Sequence, residues 1–142
     1  MNTNLFGLWL CMQHEIRQML SQGGGAIVNM ASTAGISGSP GSAIYSASKH
    51  GILGLTKSAG AEYATKNIRI NAVCPGPVMT PLLKGIFEER PSMENAYLST
   101  VLMGRFGASE EISGAVLWLC SDEASFMTGH SIVIGGGQAV TP

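Results

Sequence analysis

Tyr45 and Lys49 are the two residues of this sequence whose types and spacing best suit acid–base chemistry. They lie four positions apart in a segment with helical apolar spacing, so their side chains share one helix face and can meet. A free tyrosine has a pKa near ~10, and an ammonium about 4.5 Å away favours the phenolate by roughly 3.7 kcal/mol at an effective dielectric near 20. The pair is therefore a candidate for proton transfer, although the same spacing also arises by chance on amphipathic helices.

Ser32 and residues 75–80 (Pro-Gly-Pro-Val-Met-Thr) supply further polar groups, each directly after a predicted strand. Ligands of open parallel sheets bind beyond the carboxyl ends of the strands. There the Ser32 hydroxyl could donate to a substrate oxygen, and the backbone near Val78 with the Thr80 hydroxyl could bind a planar amide. Taken singly, each feature also fits an ordinary turn or loop breaker. The coincidence of all three at one end of a sheet favours a binding site.

Helices and strands alternate along the chain in an order that would position these residues. Apolar residues at helical spacing predict helices over 4–20, 43–64 and 109–120, with Ser109 as an N-cap, and two short helices around Pro91. Apolar, β-rich runs predict buried strands at 26–31, 67–73 and 131–134. Connections of ten or more residues between such strands are typical of an α/β fold, in which a parallel sheet is covered by helices.

Charge and hydropathy exclude several classes of partner. The 142 residues carry 8 basic and 9 acidic side chains, and this balance provides no basic stripe for nucleic-acid phosphates. The apolar run at 5–12 is too short to span a bilayer, and no Lys or Arg precedes it as in a signal peptide. We therefore expect a cytoplasmic protein without nucleic-acid or membrane partners. Because only 12% of the residues are charged, we also expect other protein to cover part of the surface.

Cysteine and histidine usage argues against a metal site and against disulfides. The three cysteines (Cys11, Cys74 and Cys120) lie far apart and form no C-x-x-C pair, so we expect small buried apolar residues. The three histidines (His14, His50 and His130) form no cluster with ligand spacing.

Glycine is abundant, with 19 residues, yet none of the glycine patterns that bind nucleotide phosphates occurs. The patterns G-x-G-x-x-G, T-G-x-x-x-G-x-G and G-x-x-x-x-G-K-[ST] are all absent. Residues 46–49 fit the S-x-x-K signature of penicillin-recognising acyl transferases, but neither S-D-N nor K-T-G accompanies it. No G-x-S-x-G elbow indicates an α/β hydrolase.

Five segments together resemble the short-chain dehydrogenase/reductase family, whose members have a single-domain Rossmann fold. They are residues 4–7 (Asn-Leu-Phe-Gly), 25–32 (Gly-Ala-Ile-Val-Asn-Met-Ala-Ser), 45–49 (Tyr-Ser-Ala-Ser-Lys), 68–76 (Ile-Arg-Ile-Asn-Ala-Val-Cys-Pro-Gly), and 104–107 (Gly-Arg-Phe-Gly) with 110–112 (Glu-Glu-Ile). The separation of Ser32 and Tyr45 also fits the family. These segments extend over nearly the whole chain.

The resemblance implies hydride transfer between the nicotinamide of NAD or NADP and the carbon of a small carbonyl or alcohol substrate. Tyr45 would exchange a proton with the substrate oxygen, and Ser32 would hold and polarise that oxygen. Lys49 would lower the tyrosine pKa and bind the nicotinamide ribose, next to Tyr45. The remaining implied site residues are Asn4, which would order a water linked to Lys49, and the cofactor-binding residues Pro75, Gly76, Val78 and Thr80.

The chain also departs from the family pattern. The family begins with a strand, a phosphate-binding glycine turn and a residue that selects NAD or NADP, and none of these occurs here. We therefore expect residues 1–142 to be the C-terminal part of a single domain: an incomplete Rossmann-like sheet with helices on both faces. After the last predicted strand, Gly135 stands where the family usually has aspartate.

Two functions of different class follow from this resemblance. In the first, the chain belongs to an oxidoreductase whose complete form is a homo-oligomer, either a dimer or a tetramer. In the second, it is a catalytically silent fragment whose helices at 4–20 and 43–64 only mediate pairing with a related subunit.

Overall fold

The computed structural model describes residues 1–139, in which helices alternate with three strands. The elements in chain order are a π-helical turn at Asn2–Gly7, α1 (Leu8–Gln22), β1 (Gly25–Met30), α2 (Ala43–Tyr63), β2 (Ile68–Pro75), α3 (Pro81–Glu89), α4 (Ser92–Leu98), α5 (Ser109–Cys120) and β3 (Ser131–Ile134). Short 3-10 helices at Thr33–Gly35, Ala64–Lys66 and Asp122–Ala124 lie between them. Among these residues, no helix is both long and apolar enough for a membrane crossing.

The sheet is parallel throughout and has the order β1-β2-β3. β1 pairs with β2 from Gly25 opposite Ile68 to Met30 opposite Val73. β2 pairs with β3 from Ala72 opposite Ser131 onward. The segments that follow β1 and β2 therefore leave the sheet at the same end.

Helices cover both faces of the sheet, because alternate residues of β2 point to opposite sides. One face packs against α1 and α2 through two buried clusters, Met12, Ile16, Ile27, Ile68 and Ile70, and Ala31, Ile52, Leu53, Ala72 and Cys74. On the other face Val73 is buried with Ile112 and Leu119 of α5. The predicted α/β fold, a partial Rossmann-like parallel sheet with helices on both faces, is confirmed.

The beginning of the first helix differs from the predicted α-helix. The N–H groups of Leu5 and Phe6 both donate to the Met1 carbonyl, at 3.0 and 3.4 Å, and the turn over Asn2–Gly7 is a π-helix. Leu5 packs closely on α2, since a Cβ on Gly51 would lie 2.8 Å from Leu5 Cδ1. The end of α1 agrees with the predicted glycine exit, because Gly23 has a left-handed backbone with φ of 89°.

The predicted N-cap of α5 was wrong by one residue. Ala108 has the extended backbone of an N-cap, with φ −96° and ψ 153°, and Ser109 is already helical. The Glu111 carboxylate accepts the Ala108 N–H at 2.8 Å, so a residue inside the first turn supplies the side-chain cap.

The prediction of buried cysteines was correct only for Cys74. Cys11 and Cys120 are exposed. Cys11 neighbours the buried Met12 in α1 and Cys120 neighbours the buried Leu119 in α5, and the rotation of about 100° per helical residue turns each thiol away from the buried face.

Candidate active site

Ser32 lies just beyond β1, where the chain turns into the 3-10 helix Thr33–Gly35. Its Oγ accepts a hydrogen bond from the Ala34 N–H at 3.2 Å, and the hydroxyl hydrogen has no acceptor among residues 1–139. The turn lies tightly against α2, because a Cβ on Gly35 would come within 2.9 Å of the Lys49 carbonyl oxygen. Ser32 is thus held beside α2 with a donor available to a ligand.

Tyr45 and Lys49 lie one turn apart near the beginning of α2. The Lys49 Nζ is 5.6 Å from the centroid of the Tyr45 ring. Tyr45 is 44% exposed, and its hydroxyl makes no hydrogen bond with any residue that the structure describes. The two side chains meet on one helix face and leave the phenol hydroxyl open to a substrate.

The Lys49 ammonium is partly buried and has one protein partner. It donates to the carbonyl oxygen of Met30, the last residue of β1, at 2.9 Å. Burial lowers the pKa of Lys49, because desolvation disfavours its charged form. Within residues 1–139 its other N–H donors have no partner, so they are available to a ligand.

Cys74 is a buried neighbour of these groups that sequence reasoning treated only as a core residue. Burial raises the pKa of its thiol, while the Ser32 backbone N–H and the Lys49 charge act in the opposite direction. The thiol therefore lies where the Ser32 turn, α2 and β2 come together. No local sequence pattern indicates that Cys74 lies near Ser32 and Lys49, because the Ser32 turn, α2 and β2 come together only when β1 pairs with β2.

The segment after β2 presents an unpaired backbone amide at Val78. Gly107 donates its N–H to the Pro77 carbonyl at 3.0 Å and accepts from the Met79 N–H at 2.9 Å. In this parallel bridge between Val78 and Gly107, the N–H and C=O of Val78 point away from Gly107. Within the described residues, the Val78 N–H and C=O make no hydrogen bond, so they can pair with a planar amide.

Thr80, Gly76 and Pro75 give this segment its shape. Thr80 is the N-cap of α3, and its Oγ1 accepts the Leu83 N–H at 3.2 Å, which leaves its hydroxyl hydrogen for another acceptor. Gly76 donates to the Ile134 carbonyl at 3.0 Å. A Cβ at position 76 would lie 2.7 Å from Gly135 Cα, so only glycine fits. Pro75 ends β2.

Asn4 occupies the π-helical turn and is exposed. Its side chain makes no hydrogen bond with the residues described, including Lys49. Leu5, the next residue, packs on α2 at Gly51, so the turn lies close to the helix that carries Tyr45 and Lys49. The assignment of Asn4 to the site stays a prediction.

The ionisable residues that the structure describes form no metal centre. In the part of the chain from Met1 to residue 139, no group of three or more His, Cys, Asp or Glu side chains is placed to hold a metal ion.

Comparison with known proteins assigns the family. Residues 1–139 match the family model described as enoyl-(acyl carrier protein) reductase, and solved relatives share the fold. The chain belongs to the short-chain dehydrogenase/reductase family.

Individual short-chain dehydrogenase/reductases resemble this chain over nearly its full length. The chain is 41% identical over 141 residues to an A-factor type gamma-butyrolactone 1'-reductase (1S-forming) of Streptomyces virginiae, covering 99% of this chain and 55% of the relative. It is 43% identical over 139 residues to the 3-oxoacyl-(acyl-carrier-protein) reductase FabG of Thermotoga maritima, with coverages of 98% and 55%. The structure of ElxO with NADP bound superposes with a TM-score of 0.91 at 35% identity, covering 97% of this chain and 56% of ElxO.

The chain therefore spans about half the length of the curated short-chain dehydrogenase/reductases that it matches. Within that half, the Ser32 turn packs on the helix that carries Tyr45 and Lys49, beside the carboxyl end of the sheet. The amide of Val78 leaves the neighbouring strand at the same end. The Asn4 side chain makes no hydrogen bond to Ser32, Tyr45 or Lys49 within residues 1–139.

Proposed function

We propose that the protein is an NAD(P)-dependent oxidoreductase that transfers a hydride between nicotinamide and the carbon of a small alcohol or ketone. One observation carries this proposal: Ser32, Tyr45 and Val78 have hydrogen-bonding groups without a partner, and these groups lie at one end of a parallel sheet. Ligands bind at that end of open α/β sheets. The NADP-bound relative supports the choice of cofactor.

The available groups fit a nicotinamide and a carbonyl oxygen. The Val78 N–H and C=O complement a carboxamide, and Thr80 adds a hydroxyl beside them. Pro75 and Gly76 hold this segment against the end of β3. Nicotinamide, when bound, supplies or accepts the hydride.

The chain's own residues move and hold the proton. In the reductive direction the Tyr45 hydroxyl gives its proton to the substrate oxygen as the carbonyl carbon receives the hydride, and Ser32 donates a hydrogen bond to that oxygen. In the oxidative direction the phenolate takes the alcohol proton. The Lys49 ammonium lies beside the Tyr45 ring and offers its free N–H donors to ribose hydroxyls. Asn4 would order a water near Lys49.

We further propose that residues 1–142 form the C-terminal part of one cytoplasmic dehydrogenase domain. The coverage of only 55% of the curated relatives supports this division. A dinucleotide-binding half would then supply the pyrophosphate and adenine contacts.

Replacement of Tyr45 by phenylalanine tests the proposed reaction. The assay follows NADPH oxidation with an acetoacetyl thioester or a cyclic ketone, in the chain joined to the N-terminal half of the Thermotoga maritima relative. We expect Tyr45→Phe to lower kcat about 10³-fold, because the proton donor is lost, with cofactor affinity within a few-fold. Tyr63→Phe, at the far end of the same helix, is the matched control and should retain normal turnover. Near-normal turnover of Tyr45→Phe across the pH range would contradict the assignment.

A second proposed function, pairing with another copy of the chain, rests on exposed apolar side chains. Leu117 and Trp118 at the end of α5 are 71% and 39% exposed, and Phe126 in the following turn is fully exposed. With so few charges in the sequence, contact between copies is weakly opposed. We expect sedimentation at micromolar concentration to show dimers or larger species, and Phe126→Asp to shift them toward monomer. Leu82→Asp, which changes another exposed leucine, is the control. A monomeric wild-type chain would exclude pairing.

A further inference from the structure

A glycine turn after β3 brings Gln138 back toward the active site. The Gln138 N–H donates to the Gly135 carbonyl at 3.0 Å, and the two central glycines have left-handed backbones, with φ of 58° at Gly136 and 89° at Gly137. Such a turn favours glycine at both positions. A Cβ on Gly136 would also lie 2.7 Å from Val101 Cγ1, so the turn fits closely against the segment after α4.

The Gln138 amide joins two parts of the chain through both of its polar ends. Its Oε1 accepts from the Thr33 hydroxyl at 2.9 Å, and its Nε2 donates to the Thr100 Oγ1 at 2.8 Å. The Thr100 hydroxyl in turn donates to the Tyr97 carbonyl at 2.7 Å. Because the Thr100 hydroxyl donates its hydrogen to Tyr97, its oxygen can only accept a hydrogen bond from Gln138. The amide nitrogen of Gln138 must therefore face Thr100, and its oxygen faces Thr33.

Both partners are next to functional segments. Thr33 is 7% exposed and directly follows Ser32 in the turn that lies on α2. Thr100 lies two residues beyond the α3–α4 segment (residues 81–98). Thr80, the N-cap of α3, directly precedes that segment. Through its hydrogen bonds to Thr33 and Thr100, the Gln138 side chain therefore connects the Ser32 turn with the end of this segment.

We propose that Gln138 is a positioning residue: its amide locks the Ser32 turn to the end of the α3–α4 segment, so that the serine donor and the segment keep one relative position. The inference rests on the proposed function for the role of Ser32. The amide supplies an acceptor for Thr33 and a donor for Thr100, and an apolar side chain of similar length loses these two hydrogen bonds.

Hydrogen exchange of the full 142-residue chain tests the lock without requiring turnover. We expect Gln138→Met to speed amide exchange in residues 97–104 about fivefold, the effect of losing one hydrogen bond, while exchange in β2 stays unchanged. Gln13→Met, on the exposed side of α1, is the matched control. Unchanged exchange in residues 97–104 overturns the proposal. If Gln138→Met loses its cooperative melt, Thr100→Val provides the same readout.

Thr33→Val distinguishes positioning from a local packing role. This variant removes only the hydrogen bond to the Ser32 turn, yet we expect faster exchange in residues 97–104, because an amide released at one end holds the other end less well. The double variant Gln138→Met with Thr33→Val should exchange no faster than Gln138→Met alone. Additive effects, or no effect of Thr33→Val on residues 97–104, overturn the proposal.

The turnover assay adds a second readout. A variant that merely unfolds in part loses kcat with an unchanged KM, whereas displaced substrate contacts raise KM. We expect Gln138→Met to raise KM for the acetoacetyl thioester about fivefold, with unchanged NADPH affinity. An unchanged KM overturns the positioning role. If wild-type turnover is absent, the proposed function fails, and the exchange result still decides whether the lock exists.

Discussion

Two polar regions of this chain border β2, and they differ in whether their hydrogen-bonding groups are paired. On the α5 face, Asn71 is 1% exposed, donates to the Met127 carbonyl at 2.7 Å and accepts the His130 N–H at 3.0 Å. Arg69 beside it donates to the carbonyls of Leu119, Ser121 and Ala124 at 2.7 to 3.0 Å. At the carboxyl end of the sheet, in contrast, Ser32, Tyr45 and Val78 retain groups without partners among residues 1–139.

This difference separates a structural role from a binding role. A buried polar group without a partner is costly, so the paired Arg69 and Asn71 contribute to the fold, and Arg69 satisfies carbonyls at the end of α5. Unpaired groups remain at an accessible sheet end, where a ligand can satisfy them. Both regions belong to segments that resemble the same family, so the resemblance alone does not distinguish their roles.

Among the substitutions that compare these two regions, Lys49→Met should have the largest effect. This change removes a charge beside Tyr45 and the free N–H donors, so turnover should fall about 10²-fold to 10³-fold and cofactor affinity should fall with it. Assays of NADPH oxidation and calorimetric titration in the fused enzyme measure the two losses. Lys57→Met, an exposed lysine of the same helix, is the control. Loss of turnover with unchanged cofactor affinity would restrict Lys49 to the electrostatic role.

Asn71→Leu should lower the stability of the fold and leave cofactor affinity nearly unchanged. Removal of the buried amide leaves the Met127 carbonyl and the His130 N–H without their protein partner, which should lower the free energy of unfolding by about 2–3 kcal/mol. Cofactor affinity of the folded variant should stay within twofold, since the groups at the sheet end are unchanged. Urea denaturation and titration measure the two quantities, with the exposed Asn95→Leu as control. A large loss of affinity without loss of stability would abolish the distinction between the regions.

Much of the fold could be predicted because its signals are local. Apolar spacing predicted α1 and α2, glycine predicted the end of α1, and apolar β-rich runs predicted β1 to β3. The π-helical turn at Asn2–Gly7 was not predicted, because apolar spacing indicates a helix but not whether a backbone N–H bonds four or five residues back. Ser109 was mistaken for an N-cap because the actual cap uses the side chain of Glu111.

The candidate site was predictable only where its residues are close in sequence or follow strands. Tyr45 and Lys49 share one helix turn, and Ser32 and Val78 follow paired strands. Gln138 was missed because its partner Thr33 lies 105 positions away, and its position depends on the glycine turn after β3. Cys74 was missed for the same reason, since its neighbours come from other elements.

The smallest effect is expected in a third polar region, the ion pair of Arg105 and Glu111, whose groups are hydrogen-bonded to each other but exposed to solvent. Arg105 donates to both carboxylate oxygens of Glu111, at 2.7 and 2.8 Å, and the two side chains remain 53% and 43% exposed. The hydrogen bonds from Arg105 and from the Ala108 N–H lower the pKa of Glu111 to about 2. Exposed pairs stabilise proteins little, because water and salt screen them.

Glu111→Gln therefore tests whether pairing stabilises the fold when burial is absent. A carboxyl whose pKa is lower in the folded state stabilises above its unfolded pKa of about 4.5, and this contribution disappears as the pH falls toward about 2. We expect the Tm of Glu111→Gln to lie slightly below wild type at pH 6, with the difference shrinking between pH 4.5 and pH 2 and at high salt. Glu110→Gln, in the same helix turn, controls for the interaction with the helix N-terminus. A difference as large as that of Asn71→Leu would mean that pairing alone, without burial, accounts for the stability of the α5 face.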